Sequence, residues 1–462
     1  MHRLDSFLLE SDLAKELYDS VKDLPIIDVH TEISPRAIYK NVPYENLTQL
    51  WLKNDHYKWR LMRNSGVLEY QITGDDSDLH KFQAYAGALE RAYLNPLHHW
   101  SHMELESFFG IDVLLTKNTA EEIYQTVETA LQENETGPRD LLAKAKVEVL
   151  FTNEDVNDDL EFHKLIKDDK SFEFQVLPIF RPDKMLDINS DDFLTVITLL
   201  EKNTSTTISG ITTLATALSK RLDYFNVNGC SVANHHISEM MYFEVSKSEA
   251  SKILKKRLME YQLTTKEEHQ FRLYLLKFFL KEYAIRDMVC QLHIGALHNA
   301  NTRMHKQVDQ NGGYDAISTH SFVNELNQLL SEIHSHYPLP KLVIYHLNPS
   351  DNEAVASLCG NFSCEHPGKI QFGGAWWFNN HEQGITNQLT TYGYYLNLAT
   401  YTGMPSNAKT ETSMVRHDYF RRILANTIAF HVETGRIPND KDNLIKLMQD
   451  IAYNNRKHYY NL

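Results

Sequence analysis

Apolar and polar positions alternate in short blocks along almost the whole chain. Eight apolar runs end in polar residues and have strand-like length and β-branched or aromatic content. They are Ile26 to Glu32 (IIDVHTE), Val147 to Glu154, Phe174 to Asp183, Phe225 to His236, Met288 to Gly295, Leu342 to Asn348, Ile370 to Trp377 and Leu396 to Met404. Most segments between them carry helical spacing, as in Ala120 to Glu133, Asp191 to Glu201, Ser248 to Tyr261, Lys266 to Ala284, His320 to His336 and Gln383 to Tyr392. Eight strand–helix units, with no glycine-rich phosphate loop after the first strand, predict an α/β fold: a closed (β/α)₈ barrel of the TIM type.

The roughly hundred residues after the first strand are rich in Trp, Tyr, His and Leu at helical spacing. They predict a mainly helical insertion over the barrel mouth, residues 33–146. Residues 417–462 read as two closing helices, with GRIP and ND marking the turn. No linker or repeat divides the chain, so residues 1–462 are expected to form one domain.

Composition narrows the function classes. Of 462 residues, 42% are hydrophobic and 23% charged, which is enough for a sizeable core. A net charge of −15 disfavours nucleic acid or an anionic membrane face as partner, although a local basic pocket for a small anion remains open. The four cysteines form no CxxC pair and read as small buried hydrophobes in a reducing cytoplasm. The first twenty residues carry acids throughout and do not read as a signal peptide, and no apolar stretch is long enough to span a bilayer.

In a barrel the tops of the strands carry the chemistry. Strict alternation places Asp28, His30 and Glu32 on one face of the first strand, with His30 and Glu32 at its end. An imidazole and a carboxylate two apart can grip one divalent ion, or can simply hydrogen-bond in a polar cavity. Arg181, followed by Pro182 and Asp183, offers a planar fork to a carboxylate or pairs with Asp183. His293 ends the fifth strand as a ligand or a structural hydrogen-bonder. His235 and His236 cannot both face the lumen. The run from Asp55 to Arg60 (DHYKWR) is either catalytic or a mix of packing aromatics and solvated charges, and Trp376–Trp377 is either core or a sugar platform.

Several longer strings, NLTQLWLKNDHYKWRLMRNSGV, NPLHHWSHMELESFFGI, VLPIFRPDK, HIGAL-x-N-x-NTRM, GKIQFGGAWWF, RHDYFRRIL and TGRIPND, resemble the uronate (glucuronate) isomerase family of the amidohydrolase superfamily. The resemblance runs through nearly the whole chain. It implies aldose–ketose interconversion of D-glucuronate to D-fructuronate or of D-galacturonate to D-tagaturonate through a cis-enediol. It implies a cytoplasmic homo-oligomer with a small-molecule uronate substrate, one divalent metal (Zn²⁺ or Mn²⁺) and no organic cofactor. Carried over by position, it points to His30 and His293 as metal ligands and to Tyr57 and His56 as catalytic. It points to Arg181, Trp376, Trp377, His235 and Asn234 as substrate-binding.

The chain departs from the family strings where chemistry would sit. The family's H-x-H reads His30-Thr31-Glu32, and its T-D-S-R-S reads Ser406-Asn407-Ala408-Lys409-Thr410. Its S-D-H-G reads Ala233-Asn234-His235-His236, and His298 stands where an arginine follows HIGAL. Glu32 and Asn407 are therefore expected in catalytic positions, Glu32 as a third metal ligand or as the base, and Lys409 as a substrate cation without arginine's fork. The alternative is a sugar-acid enzyme of altered chemistry, or a barrel that binds a sugar acid without turnover.

Overall fold

The computed structural model describes residues 4–308 and 312–462. Seven parallel strands lie side by side in chain order: β1 (Ile26–Thr31), β2 (Val147–Asp155), β3 (Gln175–Arg181), β4 (Val232–Ile237), β5 (Val289–Ile294), β6 (Leu342–His346) and β7 (Ile370–Phe372). The eighth position is held by an extended segment rather than a full strand. Its Asn407 N–H bonds the His30 carbonyl at 3.1 Å, and the Glu32 N–H bonds its Ala408 carbonyl at 3.0 Å, which closes the sheet against β1. On the other side, the Gln371 side chain donates to the Thr400 carbonyl at 2.9 Å and accepts from the Thr402 N–H at 3.4 Å. A Cβ at Gly374 would stand 2.5 Å from Met404 Cα, so glycine there is what lets this segment approach β7.

Two sequence expectations are corrected. The eighth run, Leu396 to Met404, is not a strand: it holds a short 3₁₀ turn (Leu398–Thr400), and the residues that pair with β1 lie further along. The fourth run begins too early, because Phe225 belongs to the helix Ile211–Val227 and only Val232 onward is extended. Apolar content could not separate the two, since the end of a buried helix and a buried strand look alike over a few residues.

Alternation sorts the barrel. Val149, Phe151, Ile179, Val232, Val289 and Val343 pack inside it with Tyr459 and Tyr460 from the end of the chain. Phe180, Cys290, Leu292, Leu342 and Ile344 face outward onto the helical layer. Arg456 ties the ring together, donating to the carbonyls of Ile27, Thr402 and Met404. Between β1 and β2 run helices that include Leu47–Trp51, His56–Asn64, Asp78–Leu89, Pro96–Phe109 and Ala120–Glu133. After the eighth segment come Val415–Glu433, Lys441–Gln449 and Asn455–Tyr459. A two-stranded ribbon, Ala296–Leu297 against Ala316–Ile317, follows β5. Cys230, Cys290 and Cys359 are buried and unpaired, and Cys364 is exposed.

Candidate active site

A cleft of about 960 Å³ opens at the carboxyl ends of the strands. Residues singled out in the sequence line it, among them His30, Glu32, His56, Arg181, His293, Trp376, Trp377, Asn407 and Lys409. They come from β1, β3, β5, the turn after β7, the eighth segment and one inserted helix, so the fold itself brings together positions hundreds of residues apart.

β1 needs an irregularity to do this. Regular alternation from Ile27 and Val29, both inside the barrel, would send His30 outward. The register slips between Asp28 and Thr31, which turns both Val29 and His30 inward. Asp28 therefore does not share their face, which corrects the expectation from strict alternation. It is buried, accepts the Ser406 hydroxyl and the His30 N–H, and lies 3.6 Å from His417 Nε2. Asn407 lies at φ +49° and Trp377 at φ +50°, so both sit in left-handed backbone at the cleft wall.

His30 Nε2 lies 3.9 Å from Glu32 Oε1, and its ring is 4.5 Å from that of His293. His293 Nδ1 bonds Asn234 Oδ1 at 2.7 Å, and Asn234 in turn donates to Asn153 at 2.9 Å. Burial depresses the His30 imidazole to about 4, against the pull of Glu32. Burial, with His30 and His236 nearby, lowers His293 well below its ordinary value. Both rings are neutral at pH 7. Among the described residues, His30 Nδ1 and His293 Nε2 have no hydrogen-bond partner.

Glu32 sits among cations. Burial alone would raise its carboxyl, but Lys409, Arg181, His30 and His56 outweigh it and hold it at about 2. Arg181 NH1 is 3.5 Å from Glu32 Oε1, and Arg181 Nε donates to Asp183 at 2.7 Å. Burial would lower the guanidinium, but Asp183 and Glu32 raise it instead. Both readings of Arg181, a structural pair and a carboxylate fork, thus coexist in one side chain.

The three-donor metal set expected at His30, Glu32 and His293 is not assembled. Among the described residues no three His, Cys, Asp or Glu side chains are grouped to hold an ion. Glu32 is drawn toward Arg181 and, at 3.4 Å, Asn153, whereas the bond from His293 Nδ1 to Asn234 leaves His293 Nε2 facing away from that partner and free.

Tyr57 does not itself line the cleft: its hydroxyl accepts the Asn407 Nδ2–H at 2.6 Å from behind that residue, and its ring borders a neighbouring cavity. Because the amide donates, the phenolic proton is left free for another acceptor. Burial raises the phenol above its usual range, so the proton is held at neutral pH. His56 stacks on Tyr57 at 4.7 Å, and burial lowers it to about 4. Two assignments as direct substrate contacts are corrected. His235 points away from the cleft, bonded to Tyr283 OH at 2.8 Å and packed on Phe279, and Asn234 stands behind His293. Alternation explains both: Val232 faces inward, so Asn234 and His236 do too, and His235 cannot.

Sequence reasoning missed Asp315 as a cleft residue and the buried Arg416 beneath it. Arg416 donates to the Ser406 and Asn407 carbonyls and lies 5.2 Å from the Tyr57 ring. It lay in plain view within RHDYFRRIL, but all three arginines of that string are buried and nothing local marks which one lies under the cleft.

A model of the glucuronate isomerase family matches residues 1–460. The uronate isomerase of Caldanaerobacter subterraneus subsp. tengcongensis is 41% identical over 457 residues, 98% of each chain. That of Bacillus subtilis is 40% identical over 457 residues, covering 98% of this chain and 97% of its own. The solved uronate isomerase of Thermotoga maritima superposes with a TM-score of 0.94 at 28% identity, covering all of both chains. A putative metal-dependent hydrolase from Lactobacillus casei shares the fold alone, with a TM-score of 0.55 at 13% identity. With end-to-end agreement in both sequence and backbone, the chain belongs to the glucuronate (uronate) isomerase family.

Proposed function

We propose that the protein interconverts an aldose uronate and its ketose, D-glucuronate with D-fructuronate or D-galacturonate with D-tagaturonate. The whole-chain family match carries this reading. The cleft supports it with two cations, Arg181 and Lys409, on a chain of net charge −15. In this reading they hold the substrate carboxylate, Arg181 by its fork and Lys409 as a point charge. Trp376 and Trp377 offer apolar faces to the sugar.

An enediol route needs a donor at the carbonyl oxygen and a base at the neighbouring carbon. Tyr57 serves as the donor, aimed by Asn407, with His56 packed against its ring. Glu32 is a poor candidate for the base because its carboxylate is engaged: Arg181 stands 3.5 Å from Oε1, and Arg181 and Lys409 both stabilise its charge. Its better role is to balance Arg181 and Lys409 until substrate arrives. A divalent ion, where one binds, would be held by His30, Glu32 and His293 and would polarise the carbonyl oxygen; no step here runs through it. No helix among the described residues is long and apolar enough to cross a membrane.

The test is direct. Purified protein is incubated with D-glucuronate and with D-galacturonate, with and without Zn²⁺ or Mn²⁺, and ketose is measured. Ketose from either supports the reading. Ligand-dependent thermal stabilisation without ketose would instead favour a binding protein.

A further inference from the structure

β4 and the ribbon after β5 bring a second polar chain to the cleft. The ribbon pairs Leu297 with Ala316, so the next residues along, His298 and Asp315, face each other. Asp315 Oδ1 lies 3.1 Å from His298 Nδ1 and accepts the Asn299 N–H at 3.1 Å. Burial would raise the Asp315 carboxyl, but these two contacts hold it low, so it is ionised and accepts only. His298 Nδ1 therefore carries a proton.

His298 Nε2 meets His236 Nε2 at 3.1 Å, a distance that requires one proton between two nitrogens. Burial, with His298 beside it, keeps the His236 imidazole neutral. In the arrangement that leaves His236 free to act as a base, His236 Nε2–H donates to the lone pair of His298 Nε2. His236 then presents its Nδ1 lone pair. No group among the described residues hydrogen-bonds that atom, and His236 lines the cleft edge-on to Trp376 at 5.4 Å. His298 stacks on Trp377 at 5.8 Å, and its side chain is 37% exposed. Both histidines stand where the family strings carry a different residue, and here the two departures touch.

We propose that His236 is the base that moves the proton between C2 and C1 of the uronate, with His298 and Asp315 as its positioning and charge-sharing partners. This rests on the isomerase reading above. His236 Nδ1 takes the C2 proton; the C2–H electron pair becomes the C1–C2 double bond; the carbonyl oxygen takes the Tyr57 proton. A cis-enediol and a phenolate result. The His236 Nε2 proton shifts to His298 Nε2, which puts the positive charge on an imidazolium paired with Asp315. The proton then returns to His236 Nε2, Nδ1 delivers its proton to C1, and the O2 hydroxyl reprotonates Tyr57 while its electron pair forms the new carbonyl. Nothing else is consumed.

The test measures steady-state kinetics and the primary isotope effect with the C2-deuterated uronate. His236→Gln should lower kcat by about 100- to 10,000-fold. His298→Gln and Asp315→Asn should each lower kcat by about 10- to 100-fold, the size that partners orienting an imidazole carry. Their KM should stay within about threefold, and the isotope effect should rise as proton abstraction becomes slower. A merely structural role would shift the melting temperature and leave the isotope effect alone. Unchanged kcat and isotope effect in the Asp315→Asn and His298→Gln proteins overturn the proposal, and so does a folded His236→Gln protein with near-native kcat. Should His236→Gln not fold, the other two variants decide. Absence of ketose with the unaltered protein would overturn the isomerase reading and, with it, this one.

Discussion

Two clusters of charge flank the helix His56–Asn64, and they are built differently. Behind it, Lys58 Nζ lies 3.1 Å from Asp55 and 3.9 Å from Glu104, and the Thr412 hydroxyl donates to Glu104 at 2.6 Å. Lys58, Asp55, Glu104 and Arg416 are each 1% exposed or less. In the cleft, Arg181, Glu32 and His30 stand 3.5 to 3.9 Å apart, with about 30% of the Arg181 and Glu32 side chains open to solvent. The first cluster is closed to solvent, with Lys58, Asp55 and Glu104 paired among themselves. The second is loose, so an incoming carboxylate can compete for its cations. Residue type does not distinguish scaffold from site here; tightness and access do.

The largest effect should come from breaking the closed cluster. Lys58→Met leaves Asp55 and Glu104 buried without their nearest cation and should cost about 3–5 kcal/mol of stability, read by denaturant unfolding. A loss under about 1 kcal/mol would show that the cluster is not the scaffold described.

Two carboxylates on adjacent strands sharpen the same contrast. Glu32 has cations around it and is held at about 2. Glu154, on the outer face of β2, has the Thr152 hydroxyl at 2.7 Å and neutral His163 at 3.5 Å, and burial pushes it up to about 8. A folded pKa raised from 4.5 to about 8 means that the folded state binds the extra proton across that window. Stability therefore falls as pH rises from about 4.5 to 8, and the penalty is complete above. Glu154→Gln should remove that slope and stabilise the protein by about 2–4 kcal/mol at pH 9. A pH–stability curve parallel to that of the unaltered protein would refute the assignment.

In the open cluster the effect should appear in binding. Arg181→Met removes the fork and leaves Glu32 and Asp183 facing the substrate's carboxylate. KM should rise by about 30- to 100-fold, equivalent to ~2–3 kcal/mol for a charge-assisted contact, with a smaller change in kcat. An equal fall in kcat at unchanged KM would place Arg181 in the chemistry instead.

The barrel was legible because period-2 and period-3.6 patterns are properties of short stretches, and eight such alternations leave few folds. The cleft was legible through strand ends: His30, Arg181 and His293 each close an apolar run. What was not legible depends on geometry across the chain. The slip that turns His30 inward has no marker within IIDVHTE, and the segment opposite it carries too little apolar pattern to announce pairing. The run DHYKWR was read as either packing or chemistry, and helical geometry divides it. Asp55 and Lys58 turn into the closed cluster, while His56 borders the cleft and Tyr57 reaches it through Asn407. Asp315 had no local signal at all, since only the ribbon register brings it opposite His298.

Asn407 joins the two clusters and should give the smallest effect on stability. Its amide aims Tyr57, its carbonyl accepts Arg416, and its backbone is left-handed at φ +49°. Asn tolerates that region, whereas alanine pays about 1–2 kcal/mol there and glycine pays nothing steric. Asn407→Ala and Asn407→Gly both lose the amide, so both should lower kcat by a similar factor if aiming Tyr57 is what matters. Only the alanine variant should also melt lower, by the ~1–2 kcal/mol of strain. Activity that recovers in the glycine variant would mean that backbone shape, and not the bond to Tyr57, is what this position supplies.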